Sequence, residues 1–404
     1  MVQRVVIAGA GHAAGQVIAS LKQKKFDGTI VLIGEEPWLP YQRPPLSKKY
    51  LAGEMPAERL YVKPSSFYDD PAIEVHRSTE IAAIHRDDRN IETTSGDRIA
   101  YDKLVIATGS RARQLDVAGS DLNGVHYLRS IEDVDRIHQD IHAPQKVVIV
   151  GAGYIGLEVA AVARQLGHDV TVLEMADRVM SRVVSPVVSD FYQAQHARRG
   201  VELLLSTGLA EFVGDNRVNA VVTSDGRTLP ADTIVVGIGI VPNTELAVSA
   251  GLDVDDGIAV DDHCQTSDID IYAVGDCTSH PNSIYGRRLR LESVHNALEQ
   301  AKTAAANICG EDVAYAQVPW FWSDQYDLKL QIAGISEGYD EVVVRGDPRD
   351  ATFSCLYLRD GRLIACDSIN APRDFLQSKG LIADCKRIDP ARLADSQTPL
   401  KELA

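Results

Sequence analysis

The chain has 404 residues, 45% hydrophobic and 24% charged, which is room for two or three domains with large cores. A formal net charge of −16 argues against nucleic acid or an anionic membrane surface as the main partner. Even the apolar stretch 147–163 is interrupted by glycines and Glu158, so no segment reads as a membrane span.

In chain order, the first unit opens with a strand over about 4–8, a helix over about 11–24 and a strand over about 29–34. Between the first two lies Gly9-Ala10-Gly11-His12-Ala13-Ala14. The first glycine of such a motif permits a tight turn, and the second lets backbone approach a pyrophosphate. The third small residue allows the helix to pack closely on its strand. Arg4 followed by small apolar residues has the look of a secretion signal, but the glycine motif accounts for the same letters. Glu35 ends the second strand and is placed to accept from ribose hydroxyls. Pro37 to Pro45 then predicts irregular backbone leading into Leu46-Ser47-Lys48-Lys49. Leu104-Val105-Ile106-Ala107-Thr108-Gly109 reads as a buried strand ending in a turn.

The device then repeats. Lys146–Val150 leads into Gly151-Ala152-Gly153-Tyr154-Ile155-Gly156, and Glu174 ends the next strand. Two dinucleotide sites in one chain imply electron transfer between two dinucleotides. Ile234-Val235-Val236-Gly237-Ile238-Gly239 closely echoes 104–109, and Ile271–Val274 carries Gly275 and Asp276 at its tip. The order suggests a second domain, 111–234, inserted into a first domain made of 1–110 and 235–318. From 319 the texture changes. Phe353–Leu358 and Leu363–Asp367 flank Asp360-Gly361, a hairpin signal, so 319–404 reads as an α+β domain. The expected fold class is α/β: two Rossmann-like domains plus that C-terminal domain.

The six cysteines show neither C-x-x-C nor metal-ligand spacing. That fits free thiols in a reducing compartment, and a cytoplasmic enzyme without a metal site is expected.

Several segments carry a resemblance over nearly the whole length. They are Arg43-Pro44-Pro45-Leu46-Ser47-Lys48, Ala107-Thr108-Gly109, Gly151–Glu158, Ala273–Cys277, Glu292-Ser293-Val294 with Asn296–Gln300, and Pro319–Gln325. The chain resembles the FAD-dependent NADH:ferredoxin reductases of bacterial oxygenase and cytochrome P450 systems, a branch of the glutathione-reductase-like flavoproteins. The resemblance implies FAD on Gly9, Gly11, His12, Ala13, Ala14, Glu35, Arg43, Lys48, Ile81, Thr108, Gly109, Arg129, Asp276, Val294 and Trp320. It implies NADH on Gly151, Gly153, Tyr154, Ile155, Gly156, Glu174, Arg182 and Gly239. It also implies a Lys48–Glu158 ion pair that acts beside the flavin and nicotinamide. The implied partner is a [2Fe–2S] ferredoxin, of plant, adrenodoxin or Rieske type, on a monomer or weak homo-oligomer.

From the residues alone, Lys48 reads as a solvated lysine and Glu158 as a dipole-favoured helix-terminal acid, with a loop cap as the alternative for Asp276. Trp320 and Trp322 are expected to divide between two faces, one walling the flavin and one packing the C-terminal core, whereas the residues alone favour core packing for both. Arg287, Arg288 and Arg290 form either a solvated face or a docking patch for an acidic ferredoxin. Positions 37–50 contain no cysteine, so electrons are expected to leave the flavin directly for an outside acceptor. Rubredoxin, ascorbate radical or a quinone would be other acceptors on this scaffold. A redox-sensing protein resembling apoptosis-inducing factor would want a targeting segment and a long basic or disordered extension.

Overall fold

The computed structural model describes residues 3–141 and 143–403. Among them run eight α-helices: α1 (His12–Gln23), α2 (Ile131–Asp140), α3 (Tyr154–Gln165), α4 (Pro186–Arg198), α5 (Glu245–Ser249), α6 (Val294–Ile308), α7 (Pro372–Asp384) and α8 (Pro390–Ala394). These residues fall into two compact units. The first comprises residues up to Arg43 with Glu58–Arg111 and Val241–Pro319, the second Pro44–Ala57, Ala112–Ile240 and the chain from Trp320 on.

The first unit is built on five parallel strands in the order 271–273, 103–106, 3–8, 28–33, 73–76. Its central strand is buried on both faces. Val5 and Ile7 pack with α1 and α6 residues such as Val17, Ile18, Ala301 and Ala305, whereas Val6 and Ala8 pack with Ile84 and Ile91. A strand covered on both sides has to be apolar at consecutive positions, which is why Val5–Ala8 shows no alternation. Residues 81–85, 90–93 and 98–100 form a small antiparallel sheet beneath it.

The second unit repeats that plan, with parallel strands in the order 201–204, 169–173, 146–150, 233–236, 125–127 and a small antiparallel sheet over 209–214, 218–223 and 228–230. In both units the strand before the glycine motif has its successor on one side and a later strand on the other. The chain reverses direction across the sheet there, opening a crevice at the carboxyl end of that strand.

The same unit contains an antiparallel sheet ordered 320–325, 328–334, 362–369, 352–359, 341–347. Asp360-Gly361 makes its two-residue turn, with Arg359 opposite Arg362. Alternation splits the sheet's side chains. Phe321, Ser323, Gln325 and Phe353 meet Tyr154 and Glu158 of α3 and Phe191 and His196 of α4, while Trp320 meets Phe375 of α7 on the other face.

Candidate functional site

Each glycine motif is a turn that only glycine makes, followed by an uncapped helix. Gly9 has φ +114°, and a Cβ on it would lie 2.3 Å from the Ala107 carbonyl oxygen. Gly151 has φ +102°, and a Cβ there would lie 2.5 Å from the Gly237 carbonyl oxygen. The second glycines are the reverse. A Cβ on Gly11 or Gly153 would meet nothing within 4 Å, and neither residue provides a side-chain cap for α1 or α3. The first-turn N–H groups therefore face open space at the positive end of a helix, which is an anion seat. At the third position Ala14 is fully buried, and a Cβ on Gly156 would strike the Gly151 carbonyl at 2.0 Å. Close helix–strand packing thus requires small residues there. The residues present fit a dinucleotide pyrophosphate at both motifs, and His12, Ala13 and Ile155 lie in the same first turns.

Glu35 is exposed at the end of strand 28–33, open to a ribose. Glu174 is partly committed: it accepts from the Ala152 amide at 2.8 Å and the Ala176 amide at 2.9 Å. Those bonds clamp the acid against its glycine turn and leave further lone pairs for a ribose. Arg182 is exposed, with a guanidinium nitrogen 4.0 Å from a Cβ built on Gly239. Arg178, its neighbour, donates to the carbonyls of Val184 and Ser181 and to Ser189, so it is a structural tie.

Within the first unit, Asp276 accepts from Ser110 Oγ at 2.8 Å, and Thr108 exchanges hydrogen bonds with Asn243 at 2.8 and 2.9 Å. These ties hold the turn that ends at Gly109. Arg43 donates to Glu36 at 2.7 Å and to the Tyr41 hydroxyl at 2.9 Å, and Tyr41 donates to Glu36 at 2.6 Å. Sequence reasoning missed Glu36 as the partner of Arg43. Val294 opens α6 behind the Ser293 cap, and Ile81 begins strand 81–85. In the second unit Arg129 precedes the Ser130–Asp133 capping box of α2 and donates its amide to Asp133.

In the second unit Glu158 is a buried acid with several side-chain donors. It lies on the second turn of α3 and is only 1% exposed. Its Oε2 accepts from Lys48 Nζ at 2.6 Å and Ser47 Oγ at 2.5 Å, and its Oε1 accepts from Ser323 Oγ at 2.6 Å. Burial raises the carboxyl above its ordinary range, against the opposite pull of Lys48 and the two serines. Lys48 is 17% exposed and also donates to the Pro44 carbonyl at 3.2 Å. The turn Pro44–Ser47 delivers both Ser47 and Lys48 to one carboxylate. Ser47 and Ser323 lie inside the recognised segments, but nothing in their spacing marks them as partners of Glu158.

The expected division of the two tryptophans fails. Residues two apart on a strand share a face. The Trp320 and Trp322 rings are 5.4 Å apart, and Trp320 also stacks near Phe375 and Lys379. In the arginine cluster Arg287 and Arg288 are exposed, and two of the three side chains carry ties of their own. Arg288 donates to the Val260 carbonyl at 2.9 Å and to the Ser279 carbonyl, and Arg290 pairs with Asp256 and Glu292 at 3.1 and 2.6 Å. All six cysteines are free thiols.

Residues 3–301 match the pyridine nucleotide-disulphide oxidoreductase family and residues 320–404 the reductase C-terminal domain. The chain is 44% identical over 401 residues to the 5,5'-dehydrodivanillate O-demethylase ferredoxin reductase subunit of Sphingobium sp., covering 98% of this chain and 97% of that one. It is 40% identical over 370 residues to a rubredoxin-NAD(+) reductase of Pseudomonas putida, covering 91% and 96%. It superposes on the reductase of the covalent putidaredoxin reductase–putidaredoxin complex with a TM-score of 0.96 at 43% identity, covering 99% of this chain and 98% of that one. With paired dinucleotide cradles and both family segments in place, the chain belongs to the pyridine nucleotide-disulphide oxidoreductase family, in its branch with a reductase C-terminal domain.

Proposed function

We propose that the chain oxidises NADH and passes the electrons through FAD to a [2Fe–2S] ferredoxin serving a cytochrome P450 or ring-hydroxylating oxygenase. The observation that carries the acceptor is the flavin-side loop: positions 37–50 hold no cysteine, and Ser47 and Lys48 stand there instead, bonded to Glu158. Without a thiol pair in that loop, the electrons have no internal disulfide to pass through. Relatives 44% identical to the chain are ferredoxin reductases. The bound flavin supplies the step from a two-electron donor to one-electron acceptors.

In this reading residues 1–110 with 235–318 bind FAD, 111–234 bind NADH, and 319–404 supply Trp320 and Ser323. Gly9, Gly11 and the first turn of α1 seat the FAD pyrophosphate, and Glu35 accepts from its adenosine ribose. Thr108, Gly109, Arg43, Asp276, Ile81, Val294 and Arg129 line the rest of the flavin nucleotide. Gly151, Gly153, Tyr154 and Glu174 do the corresponding work for NADH, with Arg182 and Gly239 at its edge. Lys48 holds a positive charge where negative charge grows on flavin reduction, and Glu158 fixes its ammonium. The protein acts in the cytoplasm, where free thiols persist, as a monomer or weak homo-oligomer.

Anaerobic NADH titration of the flavin-loaded protein, followed by reoxidation with purified ferredoxins and rubredoxins, tests this reading. Rapid bleaching and fastest reoxidation by a [2Fe–2S] ferredoxin are expected. A rubredoxin that outpaces every ferredoxin overturns the acceptor, and the rubredoxin reductase relative makes that the second reading.

A further inference from the structure

Beneath the NADH motif lies a buried polar cluster that the reaction as described does not use. Asp367 is fully buried on strand 362–369, opposite Ile332 and Cys355, in the row that reaches Phe321. The Tyr357 hydroxyl donates to Asp367 Oδ2 and accepts from the Ser185 amide at 3.0 Å. Four further oxygens in the second unit are buried without a partner among the described residues: Asp367 Oδ1, Tyr154 Oη, Tyr192 Oη and Ser185 Oγ. Both tyrosine hydroxyls lie within electrostatic reach of Asp367. Tyr154 is the first residue of α3, its ring 4.7 Å from Phe321, and its backbone follows the second glycine of the motif.

We propose that Asp367 is a positioning residue for the NADH site: in its neutral form it holds the C-terminal sheet against Tyr154, and its ionisation loosens the glycine turn that binds the pyrophosphate. The inference rests on assigning NADH to the second motif. The titratable groups within electrostatic reach of Asp367 are Tyr154 of α3, Tyr192 of α4, Cys355 and Tyr357 of the next strand and Cys366 beside it. None of these brings a positive charge, and burial holds His196 of α4 down at about 4. Lys48 is already bonded to Glu158. Burial pushes the Asp367 carboxyl up to about 7, and only the Tyr357 hydroxyl opposes this. A carboxylate formed here would be an unpaired buried charge. The cheapest relief is movement of the sheet away from α3 and α4 or entry of water, and either displaces the Tyr154 ring.

The test is stopped-flow flavin reduction by NADH in the holoprotein, which separates the NADH dissociation constant from the limiting rate. If only the neutral form binds, the apparent constant rises by up to roughly thirtyfold between about pH 6 and about pH 8.5, with the limiting rate nearly unchanged. Asp367→Asn, neutral at every pH, is expected to keep the low-pH constant throughout. Tyr357→Phe removes the one bond that steadies the carboxylate, so it moves the midpoint upward and serves if the asparagine variant does not fold. A wild-type constant indifferent to pH, or an Asp367→Asn or Tyr357→Phe profile identical to wild type, overturns the proposal. Failure of NADH to bleach the flavin at about pH 6 is a different outcome and overturns the functional assignment itself.

Discussion

Glu158 takes the Lys48 ammonium at 2.6 Å while 110 residues separate the two in sequence, and Ser47 from the same turn and Ser323 from a third segment complete its coordination. A carboxylate 1% exposed that keeps its charge needs this many donors, because an unpaired one would cost several kcal/mol. The arrangement fixes the lysine's charge in place before any substrate arrives.

Lys48→Met is therefore expected to slow flavin bleaching by NADH by roughly tenfold or more while FAD retention changes little. Ser323→Ala, which removes a single neutral donor to Glu158, is expected to have a smaller effect in the same direction. Stopped-flow absorbance reads the first, and the absorbance ratio of flavin to protein after dialysis reads the second quantity. Unchanged bleaching in Lys48→Met returns the pair to a purely structural role.

Gly11→Val separates binding from folding. A Cβ there would meet no protein atom within 4 Å, and the valine methyls would fill the pyrophosphate seat at the start of α1. The expected product is a folded, colourless protein with wild-type far-ultraviolet circular dichroism that takes up no FAD. Gly9→Val, by contrast, meets the Ala107 carbonyl at 2.3 Å and is expected to misfold.

The glycine motifs, both terminal acids and the hairpin at Asp360-Gly361 were legible in the sequence because each is local: turn, helix start and strand end sit within a few residues. The partners of Glu158 were only half legible. Lys48 follows from family resemblance, whereas Ser47 and Ser323 are small hydroxyls whose meaning arises only when distant segments converge. The tryptophan pair departs from its expected division because a strand's side chains repeat with period two, which puts residues 320 and 322 on one face. The ties of the arginine cluster escape the sequence for another reason. Composition counts charges, but Arg288 and Arg290 are tied to carbonyls and carboxylates that no short-range pattern reveals.

Asp367 also sets a stability window. Its folded value, about 7, lies above the ordinary 3.8, so its contribution is fully present below about 3.8 and is lost as pH rises through about 7. Wild-type stability is expected to fall, relative to Asp367→Asn, by at most about 1.4 kcal/mol per pH unit across that window. Denaturant titrations at several pH values compare the two, and parallel curves would contradict the assignment of that titration to Asp367.

Arg345 is a structural counterpart, 4% exposed on strand 341–347. It donates to Asp374 at 3.1 Å and to the carbonyls of Leu393, Asp395, Ser396 and Thr398, tying the last turns of the chain to the sheet. Arg345→Ala leaves a carboxylate and four carbonyls to be rehydrated and is expected to cost about 3–5 kcal/mol. The flavin spectrum of the folded fraction should be unchanged. A loss below about 1 kcal/mol would mean the C-terminal turns are held by packing alone.

NADH is expected to be preferred to NADPH, with Glu174 as the main source of the preference. The carboxylate is clamped by the Ala152 and Ala176 amides beside the turn of the second motif, so it cannot swing away from an incoming 2′-phosphate. Two such charges about 4 Å apart repel by roughly 1–4 kcal/mol depending on exposure, which is about tenfold to a thousandfold in kcat/KM. Of the two nearby arginines, Arg178 is bonded to carbonyls and Ser189, which leaves only exposed Arg182 to soften the repulsion. Glu174→Ala is expected to narrow the ratio, and Arg182→Ala to widen it. Glu174→Ala also removes the acceptor for two turn amides, so it should weaken NADH binding itself, which Glu174→Gln would do less. Equal kcat/KM for the two nucleotides in the wild-type protein would show that this carboxylate does not face the ribose.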